Sequence, residues 1–330
     1  MPDASSGEGK SSGPGIVLVM LAMVVLPAAL TLYQVHPAVA AGPGANPTPH
    51  GYTWSLLLFI VPIAVIMLWL RPQENIRLPK RAFWRTMAIL VPAGCALDFF
   101  CAQRFFTFPN PGATLGIGAP ALGGPVPIEE YVFYFTGFVA ILLVYIWLSE
   151  FWLVAYAVRD YAGGVKRLPR LVQFHLSSAI LGATLMAAAI VYKKVFAAET
   201  AGFPWYYIVL VAGGLVPAAG FFPSARPFIN WRALSLTLFY FLLVSLLWEA
   251  TLALPYGWWG YQTHAMMGIS VAAWSNMPIE ATFVWMAVGY GTVIIFEVVK
   301  LWQASERSTR ETFFGPKRAR RDEKHAARET

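Results

Sequence analysis

The chain has 330 residues, of which 58% are hydrophobic and 12% charged, with a formal net charge of +7 and a mean hydropathy of +0.57. Soluble domains carry about a quarter charged residues, so this composition excludes an ordinary soluble fold. The apolar runs are continuous rather than alternating, which argues against a β-barrel. The excess of Lys and Arg sits in short loops and the C-terminal tail, the pattern of cytoplasmic faces rather than of a nucleic-acid binder.

Taken in order, residues 1–14 are small and polar, and Ile16 to Gln34 is the first apolar run. Ala38-Val39-Ala40 resembles a signal-peptidase site. The basic stretch ahead of the run is only Lys10, and the run is long for a signal peptide, so a retained helix is expected. Residues 36–51 carry no Lys or Arg and read as an outer loop. Tyr52 to Leu70 is the second span, followed by a basic segment, Arg71 to Arg81, read as cytoplasmic. Phe83 to about Gln103 is the third span and contains Asp98.

An uncharged Gly/Pro-rich loop, Phe105 to Val126, leads to Pro127-Ile128-Glu129-Glu130, which opens the fourth span. Arg159, Lys166, Arg167 and Arg170 mark another cytoplasmic loop. Val172 to about Val191 is the fifth span, Pro204 to Phe222 the sixth, and Leu234 to Leu254, with Glu249 inside it, the seventh. A second uncharged loop, Pro255 to Met277, leads to Pro278-Ile279-Glu280-Ala281 and the eighth span, which runs to Trp302. Asn276 is read as its helix cap. The tail from Gln303 is basic and suits contact with anionic lipid. Lys193, Lys194 and Arg104 are the only basic residues on the wrong side for this topology. Cys95 and Cys101, six apart on one helix, point to different faces, so no disulfide is expected.

The two Pro-Ile-Glu motifs stand 151 residues apart, from Pro127 to Pro278. The same offset carries Trp54 to Trp205, Pro72 to Pro223, Arg81 to Arg232 and Asp98 to Glu249. A register held through loops signals duplication of a three-helix unit. The predicted fold is an all-α polytopic membrane protein of about eight transmembrane helices, with a parallel tandem repeat. Five segments follow. Residues 1–51 hold the N-terminal tail, first helix and outer loop, 52–158 the first repeat, and 159–202 a linker with the fifth helix. Residues 203–302 form the second repeat and 303–330 the basic tail. With an even number of spans, both termini are cytoplasmic in an inner membrane.

The candidate site residues are Asp98, Glu129, Glu130, Glu249 and Glu280. Ionisable groups at membrane depth are costly and rare. These five fall in one outer layer, and in a parallel duplicate they can face one central cavity. Burial favours the neutral carboxyl and a helix N-terminus the ionised one, the conditions for a general acid beside a base. Glu129 and Glu280 follow a proline in a first helical turn, where acids also occur for purely structural reasons. Asp98 and Glu249 could instead make an interhelical hydrogen bond. Aromatics crowd the same layer: Phe99, Phe100, Phe105, Phe106, Tyr131, Phe133 and Tyr134 in one half, and Trp248, Tyr256, Trp258, Trp259, Tyr261, Trp274 and Trp285 in the other. Aromatic faces stabilise cations, although aromatics at loop ends also form interfacial belts. Glu150 and Glu297 lie toward the opposite ends and are read as solvated or paired with Arg159 or Lys300. A flavin or nicotinamide domain has no support, as no GxGxxG follows a strand, and no Cys/His cluster suggests a metal.

An acid late in one helix, a Gly/aromatic loop and Pro127-Ile128-Glu129-Glu130-Tyr131-Val132-Phe133-Tyr134 opening the next resemble the repeated domain of membrane-integral lycopene cyclases. Pro255-Tyr256-Gly257-Trp258-Trp259-Gly260-Tyr261 is similar to that family's Gly-x-Trp-x-aromatic loop element. The resemblance covers about 52–150 and 203–302. It implies acid-catalysed, redox-neutral ring closure on a carotenoid-type polyene without a cofactor. Its implied partners are a lipophilic isoprenoid substrate, membrane lipids and other carotenoid enzymes. Glu129, Glu130 and Glu280 are then acid/base candidates, with Asp98 and Glu249 as partners or cation stabilisers. Ala281 departs from the motif, which implies an altered or lost second site, with either cyclisation at one end only or a different isoprenoid as substrate. A proton-coupled transporter and a non-catalytic carotenoid-binding or assembly subunit are the competing readings.

Overall fold

The computed structural model describes residues 49–70, 79–158 and 160–316, together with Leu18. The first apolar run, most of the basic segment after the second span and the tail from residue 317 lie outside the described residues. The rest is mostly helical. The long helices are α1 (Gly51–Leu70), α2 (Lys80–Phe105), α3 (Ile128–Trp147), α5 (Leu176–Val191), α6 (Trp205–Ala225), α7 (Trp231–Trp248) and α8 (Ile279–Ala304). Two short helices, α4 (Tyr161–Arg167) and α9 (Thr309–Phe314), lie beside the far ends of this bundle. Among the described residues, six helices are long and apolar enough to cross a membrane: Lys80–Phe105, Ile128–Trp152, Leu176–Phe196, Trp205–Ala225, Trp231–Ala253 and Ile279–Ala304. A helix satisfies its own backbone groups within the segment, which is why continuous apolar runs fold this way in lipid.

Helices α3 and α8 form the centre. Helix α3 packs on α1, α2, α7 and α8, and α8 packs on α6, α7 and α2. Helix α5 packs on α6 from outside. Burial follows: 72% of the central stretch of α3 is enclosed, against 17% for α5. Helices α6 and α8 meet through small residues. A Cβ on Gly291 would stand 2.6 Å from the Gly213 carbonyl oxygen, and one on Gly214 would stand 3.2 Å from the Ala287 Cα. Small residues allow the backbone approach that dispersion requires in lipid.

The two uncharged loops are more ordered than their Gly/Pro content suggests. Strand β2 (Gly118–Ala119) pairs with β3 (Val126–Pro127), and β5 (Ser270–Val271) with β6 (Met277–Pro278), each antiparallel. Strand β1 (Phe106–Thr107) pairs with β4 (Gly260–Tyr261) and so ties one loop to the other. Two-residue strands carry no readable period, so the sequence offered no signal for them.

The expected Asn276 cap is corrected. Pro278 occupies the N-cap position of α8, and its side chain makes no capping bond. Ser275 and Asn276 instead adopt left-handed backbone at φ 54° and 55° in the preceding turn. Far from the loops, Glu297 is buried rather than solvated and pairs with Lys300 at 3.1 Å, while the Tyr145 hydroxyl donates to it.

Candidate functional site

The loop end of the bundle holds all five candidate carboxyls, because α2 and α7 end there and α3 and α8 begin there. Among the described residues, two of them line a common cavity. Glu130, in the first turn of α3, and Glu249, just past α7, face a slot of about 90 Å³. Its walls come from Tyr52 of α1, Phe133 and Tyr134 of α3, Tyr206 of α6, Trp248 of α7 and Trp285 of α8, with Phe106, Trp259 and Tyr261 from the loops.

Local structure sets the aim of each acid. Glu129 and Glu130 are adjacent, so they point about 100° apart around α3. Glu130 turns inward, where it is 7% exposed and accepts from the Tyr52 hydroxyl at 2.6 Å. Glu129 turns to the loop and accepts from the Thr53 hydroxyl at 2.6 Å and the Leu115 amide at 2.7 Å. Glu280 does the same in α8, accepting from the Met267 amide at 2.5 Å. Glu249 opens a π-helical turn, Glu249–Ala253, in which the Leu254 amide donates to the Glu249 carbonyl five residues back. The inserted residue re-aims side chains, and such turns recur at functional sites. The Ser245 hydroxyl donates to Glu249 at 2.8 Å, and the Tyr261 hydroxyl donates to its other oxygen. Burial, reinforced by Glu249, holds the Tyr261 phenol well above the ordinary tyrosine range, so it remains a donor.

Asp98 does not line the slot. It is 1% exposed and has the Tyr134 hydroxyl in hydrogen-bond reach, one side chain behind the wall. Its second oxygen, and those of Glu129 and Glu280, are buried without a hydrogen-bond partner among the described residues. Tyr206 lies within electrostatic range of Glu249, Glu280, Asp98 and Glu130, at the middle of the group.

The aromatic wall is continuous. Tyr52 contacts Trp259 and Trp248 with ring centroids 4.9 Å and 6.1 Å apart. Phe133 bridges Trp248 and Trp285 at 5.6 Å and 5.5 Å. Phe99 and Phe100, grouped with these by sequence, are exposed on the outside of α2. Two slot residues, Tyr52 and Tyr206, escaped sequence reasoning because each opens a helix far from either motif. Lys193 also escaped. It sits at the end of α5, fully buried, donates to the Thr263 carbonyl at 3.1 Å and lies within electrostatic range of Glu280. Its one signal was a lysine where the topology calls for none.

Chemically, the slot offers two carboxyls, each held by a phenol, in an apolar aromatic enclosure. Such a place can protonate a weakly basic carbon and shelter the cation formed. Comparison with protein-family models, curated proteins and solved structures finds no match for this chain.

Proposed function

We propose that the chain is a carotenoid-type cyclase that closes a ring at the end of a polyene within the membrane. The observation that carries this reading is the slot itself, with Glu130 and Glu249 as its two acids and aromatic faces over most of the remaining wall. The motif resemblance points the same way.

In the proposed reaction, one carboxylic acid gives its proton to the terminal alkene. A C–H bond forms and a tertiary cation remains. The next suitably placed double bond attacks that cation, making the ring bond and moving the charge into the ring. A carboxylate then takes a proton from the adjacent carbon and a double bond re-forms. Atoms and electrons balance with no redox partner. Tyr52 and Tyr261 orient the two carboxyls, while Trp248, Trp259, Trp285 and Phe133 present π faces to the charge. Glu129 and Glu280 act as anchors that fasten the loops to the starts of α3 and α8. Asp98 positions Tyr134. A slot of about 90 Å³ is smaller than the ~150 Å³ cavity that takes benzene, so a terminal isoprenoid unit enters with rotation of lining side chains.

We read α1–α3 and α6–α8 as two copies of one unit, in a chain of eight spans with its loop end at the outer face and both termini cytoplasmic. The paired hydrogen bonds support the duplication. Leu115 N to Glu129 is matched by Met267 N to Glu280, and Ile128 N to Ile117 O by Ile279 N to Ile269 O, with the loop partners 152 apart, so the 151 register slips by one residue within the loops. The helix packing supports it too, since α3 and α8 each meet the equivalent neighbours. Slot residues pair across the copies at the 151 offset: Leu97 with Trp248, Phe133 with Val284, Tyr134 with Trp285. Two motifs on this reading build one shared site, and one site closes one end at a time.

Purified protein in lipid vesicles, supplied with lycopene and no flavin or nicotinamide, tests the reaction. A product of unchanged mass and blue-shifted absorption is expected. Unaltered lycopene with folded protein would overturn the proposal.

A further inference from the structure

Tyr261 stands between two cavities. The slot is on one side. On the other is a space of about 530 Å³ that Trp259 and Tyr261 also border, with Lys193, Glu199, Thr263 and Asn276 among its lining. Glu199 and Asn276 are exposed, so this space reaches the surface. Lys193 is fully buried at its edge, and its three N–H donors meet one acceptor, the Thr263 carbonyl, among the described residues. Leaving such a group unsolvated is costly, and a space of this size that opens to the surface beside polar groups admits water.

We infer that this space is a water-filled vestibule and that Tyr261 passes protons from it to Glu249. The inference rests on the cyclase reading for its purpose but not for its geometry. The Tyr261 hydroxyl already donates to Glu249, and the Trp259 indole N–H is in hydrogen-bond reach of the phenol oxygen. In the transfer, the Tyr261 O–H bond breaks as the Glu249 O–H bond forms, and the phenol oxygen takes a proton from a hydrated proton in the vestibule. A carboxylate and a hydronium become a carboxylic acid and water, and the phenol is restored. Among the described residues, Glu130 has no such route. Its donor Tyr52 is 1% exposed, is enclosed by Trp248 and Trp259, and borders the slot but not the vestibule. Glu249 is therefore the carboxyl reloaded from solvent, and Glu130 is the sealed one, cycling only through substrate or its neighbour.

The test is the deuterium content of cyclised product made in D₂O by reconstituted protein, wild type beside Tyr261→Phe. Wild type is expected to place about one solvent deuterium in each ring formed. The variant is expected to retain the abstracted proton and fall below half of that, whatever its rate. Equal deuterium content in the two would overturn the inference while leaving the cyclase reading intact. Should either protein yield no product, infrared spectroscopy of the carboxyl band that disappears in Glu249→Gln gives the answer without turnover. Exchange of that band at least tenfold slower in Tyr261→Phe supports the relay, and an equal rate overturns it. Lycopene left unchanged by wild type counts against the cyclase reading alone.

Discussion

Restoring the second motif to its full form tests the single-site arrangement sharply. Ala281→Glu recreates in α8 the pair of acids that Glu129 and Glu130 make in α3. Were each copy a self-sufficient site, this change would repair the second one. The environment of Ala281 argues otherwise. It is fully buried in a cluster with Leu242, Leu246 and Met277, flanked by Leu254, Trp274 and Tyr261. Four added heavy atoms overpack that cluster, at a cost of about 1–3 kcal/mol. An unpaired polar group left there adds about 1–3 kcal/mol, for a total of roughly 2–6 kcal/mol. Ala281→Leu carries only the first cost, so the gap between the two variants isolates the carboxyl. Reversible unfolding in mixed micelles, followed by tryptophan fluorescence, measures both. The expected order is wild type, then Ala281→Leu, then Ala281→Glu, with no new product from the last. A stable Ala281→Glu protein that closes both ends of the substrate would refute the shared-slot reasoning.

Other substitutions separate the acids and the packing. Glu130→Gln and Glu249→Gln should each lower cyclisation by about 10²–10⁴, the usual worth of a positioned acid or base. Glu129→Gln and Glu280→Gln keep an oxygen for the Leu115 and Met267 amides and should retain most activity. The reverse ranking in an assay of product per folded protein would reassign the roles. Gly94→Ala puts a Cβ 2.6 Å from Tyr134 Cδ1 and 3.0 Å from Phe138 Cε2. It should displace Tyr134 into the slot and cut activity well beyond its stability cost of about 1–3 kcal/mol; wild-type turnover would contradict this. Gly291→Ala drives a Cβ onto the Gly213 carbonyl at 2.6 Å. It should part α6 from α8 and lower unfolding stability by a similar amount, and an unchanged unfolding curve would show that the helices yield freely.

The long helices were legible because each is a continuous apolar run of membrane-spanning length, and their observed ends fall close to the expected ones. The first helix and the basic tail lie outside the described residues. Within the candidate site, the motifs and their spacing pointed to five carboxyls that all lie at the loop end and to most of the aromatic wall, but not to how they are aimed. Glu129 and Glu130 differ by one residue and by one step around a helix, and only the packing of α3 decides which turns inward. Asp98 and Glu249 share a register position, yet Glu249 lines the slot at the point where α7 gives way to a π-helical turn, while α2 runs on regularly to Phe105 and Asp98 stays behind Tyr134. No periodicity announces such a turn. Tyr52, Tyr206 and Lys193 join the site through contacts between segments distant in the chain, which local patterning cannot supply. The Lys193 anomaly shows that a residue violating a topology rule can mark a buried role.

Pigment analysis of a lycopene-accumulating bacterium expressing this chain, wild type beside Glu130→Gln, addresses the central claim most directly. A cyclised carotenoid with the wild type that vanishes with the variant, at equal membrane levels of both proteins, is the predicted result. Lycopene unchanged by a well-inserted wild-type protein would contradict it and favour a non-catalytic or transport role for the slot.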